Sequence, residues 1–105
     1  VSYSHLTTYT QLIHNIEEKL ELLDAKFEYP AADRYVLKLK EEAEELYSTP
    51  EDLTEIADCF ICLLGVARKS GYNIHLLLGA IDHKIDVNLS RTFVRQADGT
   101  FKHVD

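Results

Sequence analysis

The segment KLKEEAEELYSTPEDLTEIADCF, residues 38–60, holds eight acids in 23 positions, and their spacing is ordered. On a helix, where residues three and four apart share a face, Glu42 lies beside the apolar stripe of Val36, Leu39, Ala43 and Leu46. Glu41 and Glu45 continue round that side, and Glu44 points elsewhere. Glu42 and Glu45 are neighbours at i, i+3, as are Glu55 and Asp58, which share a side with Cys59 and Cys62. Taken alone, EEAEE reads as a solvated helix face. Asp58 does not, because it abuts the apolar run CFICLLGVA, and burying an unpaired carboxylate costs on the order of several kcal/mol. Two carboxylate pairs brought together repel unless a cation lies between them. Hard oxygen ligands suit Mg²⁺ or Mn²⁺. A di-iron bundle would use Glu-x-x-His pairs, and none of the five histidines lies three residues after a Glu.

Opposite charge follows later in the chain. Lys84, Asn88, Arg91 and Arg95 fall at i, i+4, i+7 and i+11, the spacing of one helical face. The plain reading is a solvated basic face. The chemical reading is a phosphate-binding edge, with Lys as a point charge, Arg as a bidentate donor and Asn as a neutral donor. Cys59 and Cys62 form a C-x-x-C pair inside a helical pattern, and no second Cys pair completes a zinc site. Two buried, inert thiols are expected.

These groups are positioned by four helical patterns, with no convincing strand. The first runs from about Thr8 to Phe27 on Leu12, Ile13, Ile16, Leu20 and Leu23. EYPAAD interrupts it, since Pro30 disfavours helix at Tyr29. The second carries the Val36–Leu46 stripe. YSTPED then predicts a stop and a restart, with Thr49 as N-cap and Pro50 as first helical residue, giving a third helix from Pro50 to about Ser70. Leu53, Ile56, Ala57, Phe60, Leu64 and Ala67 stripe one side of it, and Cys59, Cys62 and Val66 the other. A fourth helix, capped by Asn73, presents Ile74, Leu77, Leu78, Ile81, Ile85 and Leu89, and fades before the turn ADGT. The expectation is one all-α domain over residues 1–105, a small four-helix bundle. Its third helix, apolar on both sides, calls for association between chains.

A chain of 105 residues supports one modest core. The net charge of -7 argues against a nucleic acid polymer as partner, which needs a basic surface, but leaves open a phosphorylated small molecule bridged by a metal. No apolar run reaches the roughly 20 residues that span a bilayer. The opening VSYSHLTTYT lacks the basic start and apolar centre of a signal peptide. A cytoplasmic protein with no membrane partner is expected.

LKEEAEEL, then EIAD, then KIDVNLSR resemble the all-α nucleoside triphosphate pyrophosphohydrolases, the MazG-like group. The resemblance covers roughly residues 27–103, including DGTFKHV. The family pattern, E-E-x-x-E on one helix and E-x-x-D on the next, falls here on Glu41, Glu42, Glu45, Glu55 and Asp58. The resemblance implies a four-helix fold of that type, assembled as a homodimer or homotetramer. It implies Mg²⁺-dependent hydrolysis (Mn²⁺ being the alternative) of a nucleoside triphosphate, ribo or deoxy, to monophosphate and pyrophosphate, with a role in nucleotide-pool cleaning. Glu42, Glu45, Glu55 and Asp58 would hold the metal. Glu41 would be a fifth ligand or the base acting on water. Lys84, Asn88 and Arg91 would bind the phosphates, Lys84 also stabilising developing charge. A base pocket using the first helix would draw on Tyr9, His14 or Asn15, although surface roles suit them too. The link LYSTPEDLT is shorter than in many members, which would offset the acids along the bundle axis. The competing readings are a non-catalytic helical interaction module with a degenerate metal site, and a metal-binding protein without turnover.

Overall fold

The computed structural model describes residues 8–105, which form two compact units, one ending at Ile74 and the other spanning His75–Asp105. The first holds three helices, α1 (Tyr9–Phe27), α2 (Ala32–Ser48) and α3 (Leu53–Lys69). A capping box opens α1: Thr8 Oγ1 accepts from the Gln11 N–H at 3.1 Å, and Gln11 Oε1 accepts from the Thr8 N–H at 3.2 Å. Glu28, at φ 53°, ends α1 in the left-handed conformation, its N–H donating to Asp24 O. Pro30 then keeps the chain out of helix until Ala32, as its ring predicts.

The restart after α2 lies three residues later than the sequence predicts. Thr49 closes α2, its N–H donating to Leu46 O and its hydroxyl to Glu45 O. Asp52 is the N-cap of α3, accepting from the Thr54 N–H at 2.9 Å. Both residues have side chains suited to capping. The turn closed by Asp52 N–H to Thr49 O uses residues 49–52 as the link.

The helices α2 and α3 pack along their length as an antiparallel hairpin. The Tyr35 ring, 2% exposed, sits on the backbone of Gly65, where an added Cβ would come within 2.5 Å of ring carbons. The Tyr35 hydroxyl donates to Asp24 Oδ1. Arg68 Nε and Nη2 donate to the two Asp24 oxygens, each at 2.6 Å, so one carboxylate of α1 ties α2 to α3. Tyr29 and Phe27 stand edge-on to the Tyr35 ring. The buried core is small: Leu20, Tyr35, Cys62, Leu64 and Ile74. The Ile74 N–H donates to Glu17 Oε1 at 2.5 Å.

The opposite side of α3 is exposed in its N-terminal half. Leu53 is 71% exposed, and Ile56 and Phe60 more than 40%. With Ile16, Leu20 and Leu23 of α1 they line an apolar groove of about 690 Å³. The two-sided apolar pattern of α3 is therefore real: one side meets α2, and the other, buried at Leu64, lines the groove with α1.

The second unit contains α4 (Ile74–Leu89), whose first residue belongs to the first unit, and a hairpin of β1 (Phe93–Arg95) and β2 (Phe101–His103). The expectation of no strand is corrected here. The strands pair antiparallel, Val94 opposite Lys102, around the anticipated Asp98–Gly99 turn, in which Gly99 takes φ 89°. Three residues per strand are too few to show an alternating pattern. Among the described residues, no helix is long and apolar enough to cross a membrane.

Candidate active site

The α2–α3 hairpin turns about Pro50. Glu45 and Glu55 each lie five residues from it, and Glu42 and Asp58 each lie eight. In an antiparallel hairpin, residues equidistant from the bend stand level, so the acidic motifs face one another. Glu42, Glu45 and Glu55 each offer a carboxylate oxygen within 4.8 Å of the others. The short link therefore does not offset these acids.

The three environments differ. Glu42 is buried, Glu55 half-buried and Glu45 exposed. The charge of Glu42, followed by a hydrogen bond with it, raises the Glu45 carboxyl above the ordinary range. Glu42 Oε2 and Glu55 Oε2 are buried without a hydrogen-bond partner. Unmatched buried oxygens are costly, and two of them beside a third carboxylate fit a hard divalent cation, which takes oxygen ligands.

Asp58 lies outside this trio. Contrary to its place in the apolar run, it is exposed. Cys62, one turn further on the same face, is buried, so the burial of that face does not reach back to Asp58. It still lines, with Glu42, Tyr35, Phe27 and Lys38, a cavity of about 180 Å³. Glu41 is exposed too, its Oε1 3.4 Å from Lys38 Nζ. The same ammonium lies 3.4 Å from Glu42 Oε1. Bonds to Glu42 and then Glu41 raise Lys38 above the usual lysine value. Sequence reasoning passed over Lys38, although its i+3 and i+4 spacing to Glu41 and Glu42 is the visible signal. It also passed over Asp24, Tyr35 and Arg68, whose partnership spans 44 residues and has no local signature.

The basic row is not one helical face. Lys84 and Asn88 are a turn apart on α4, but the helix ends at Leu89. The Ser90 N–H and hydroxyl both donate to Val87 O, and the Arg91 N–H to Asn88 O, closing the last turn. Arg91 is therefore in the connection, and Arg95 in β1, its guanidinium 5.0 Å above the Phe101 ring. On α1, Tyr9, His14 and Asn15 are exposed, and His14 pairs with Glu18 at 3.1 Å. Cys59 and Cys62 are free; Cys62 is buried as expected, but Cys59 is only half-buried, and burial raises both thiols above the usual value.

Four helices, with two acidic motifs facing across a helical hairpin, define the MazG-like all-α fold. The solved structure of the cyanophage S-2L MazG-like pyrophosphohydrolase, bound to dGDP and three catalytic Mn²⁺ ions per active site, matches with a TM-score of 0.71. The match covers 89% of this chain and 97% of that one at 23% identity. A family model for dATP/dGTP pyrophosphohydrolase matches residues 16–104, and the chain belongs to that family. A dATP/dGTP diphosphohydrolase of Salmonella phage PMBT28 is 39% identical over 70 residues, 66% of this chain. The aligned part is 23% of that relative's length.

Proposed function

We propose that the protein hydrolyses a purine deoxynucleoside triphosphate, dATP or dGTP, to the monophosphate and pyrophosphate. The observation that carries this reading is the convergence of Glu42, Glu45 and Glu55 with two buried oxygens that lack partners. Family membership supplies the substrate class. Glu42, Glu45 and Glu55 would hold Mn²⁺ or Mg²⁺, with Asp58 on the cavity that it shares with Glu42. The bound cation would supply positive charge to phosphate oxygens and to water. The products require water to attack the α-phosphorus, breaking the α–β anhydride bond. Glu41, the accessible carboxylate next to the trio, orients that water and takes its proton. Lys84, Asn88 and Arg91 would bind the phosphates, the role that the family resemblance implies for them.

A non-catalytic interaction module would account for the apolar groove, but it leaves the unpartnered oxygens of Glu42 and Glu55 without a use. The proposal also includes a homodimer or homotetramer, supported by the exposed Leu53, Ile56 and Phe60. A cytoplasmic site of action and nucleotide-pool cleaning belong to the same proposal. The test is incubation with dATP, dGTP, dCTP, dTTP and ATP, in Mn²⁺ and in Mg²⁺, with chromatography of the products. Deoxynucleoside monophosphate and pyrophosphate are expected from dATP or dGTP, and orthophosphate as the first product would overturn the bond assignment. Light scattering at tens of micromolar should give at least a dimer mass, and a monomer would overturn the assembly.

A further inference from the structure

Lys38 is unused by the chemistry above, yet it is the only side-chain cation among the described residues paired with a carboxylate of the trio. Its Nζ lies 3.4 Å from Glu42 Oε1 and 3.4 Å from Glu41 Oε1. The Glu42 side chain is 10% exposed and that of Lys38 41%, so a buried anion is met by a cation that reaches in from solvent. The other oxygen of Glu42 is buried without a partner, and Glu42 is one of the three residues whose carboxylates gather within 4.8 Å. Lys38 also lines the cavity shared with Glu42 and Asp58.

We infer that Lys38 is a positioning residue, the built-in counter-cation of the metal-free site. It holds Glu42 by one oxygen, leaves the other unpartnered, and offsets the repulsion among the three carboxylates until a divalent cation takes over that role. This rests on the metal reading above. Three carboxylates with no cation near them repel, and the chain would lower that strain by moving Glu42 out of the α2–α3 contact. An ammonium on the same helix prevents this without occupying the space between the carboxylates. Its charge also opposes the incoming ion, so the site is kept assembled at the expense of part of its affinity.

The test compares K38M, K38R and wild type with K40M, which removes the same charge from an exposed position of the same helix. Free Mn²⁺ is measured by electron paramagnetic resonance during titration, and melting is followed without metal and at saturating Mn²⁺. K38M should bind Mn²⁺ about tenfold more tightly, the size of a single charge acting on a double one over roughly 6 Å in a water-like dielectric, as suits an ammonium 41% exposed. It should melt lower than wild type without metal and close to it with metal. K38R, which keeps the charge, should resemble wild type, and K40M should shift affinity much less. K38M binding no more tightly than K40M, in wild-type-like folds that do bind Mn²⁺, would overturn the counter-cation role alone. Wild type that binds no Mn²⁺ would overturn the metal reading and this role together.

Discussion

At the scale of single residues, the acids divide by environment rather than by motif. Glu42 and Glu55 each hold a buried oxygen with no donor, whereas Glu45 is exposed and Glu41 and Asp58 stand at the margin. Replacing Glu55 by Gln should remove most of the rise in Tm that Mn²⁺ produces by mass action. The metal-free variant should melt no lower than wild type, because one repelling charge is gone. Differential scanning fluorimetry with and without Mn²⁺ checks both, and an undiminished metal shift in E55Q would remove Glu55 from the site. The cationic side chains divide as well. Lys84 is on α4 and Arg95 is engaged over Phe101. Lys84→Ala should lower kcat by roughly 10²–10³, the usual loss for one transition-state donor, with a smaller change in KM. Arg95→Ala should leave kcat within a few-fold, as steady-state kinetics on the preferred triphosphate will show.

At the scale of elements, the seat of Tyr35 on Gly65 is a tight point of the α2–α3 contact. Gly65→Ala places a methyl carbon 2.5 Å from the ring, and overpacking of this kind costs about 1–3 kcal/mol. Urea unfolding should show that loss, and Mn²⁺ affinity should fall with it if the clash is relieved by parting the helices that hold the acids rather than by a shift of the ring. Wild-type stability in G65A would mean that the ring moves aside freely. The sequence made the helices legible because Leu12 to Leu23, Val36 to Leu46 and Leu53 to Ala67 repeat at helical spacing. It made the acid site legible because carboxylates at i, i+3 must share a face. The start of α3 was not legible, since Thr49 and Asp52 are both good caps and only the tertiary turn selects between them. The β-hairpin was hidden by its brevity. The end of α4 at Leu89, which takes Arg91 and Arg95 off a single face, depends on Ser90 capping Val87 O, and a run of polar residues does not announce such a stop. The exposure of Asp58 was misread because an apolar neighbourhood in sequence need not be one in space.

At the scale of the whole molecule, one carboxylate links all three helices of the first unit. The hydrogen bonds from Arg68 hold the Asp24 carboxyl below the usual aspartate value of 3.8, against the opposing effect of burial. Burial, followed by the bond to Asp24, pushes the Tyr35 hydroxyl up to about 12, so it remains a donor at physiological pH. Because the folded value of Asp24 is depressed, its contribution is fully present above about pH 3.8 and is lost as pH falls through the lowered value. Asp24→Asn should be less stable than wild type at pH 7, and the gap should close on acidification. Chemical denaturation from pH 7 to 3 measures it, and a gap independent of pH would assign the loss to packing instead. The Tyr35–Gly65 seat has a wider consequence. It fixes one end of a sliding scale whose other end is the link at residues 49–52, and the acids are the graduations between. A slip of one helical turn, about 5.4 Å, would carry Glu55 out of step with Glu42 and Glu45, further than the 4.8 Å within which they now meet. A ring and a missing methyl group, ten residues along each helix from Glu45 and Glu55, thus calibrate the instrument that the glutamates form.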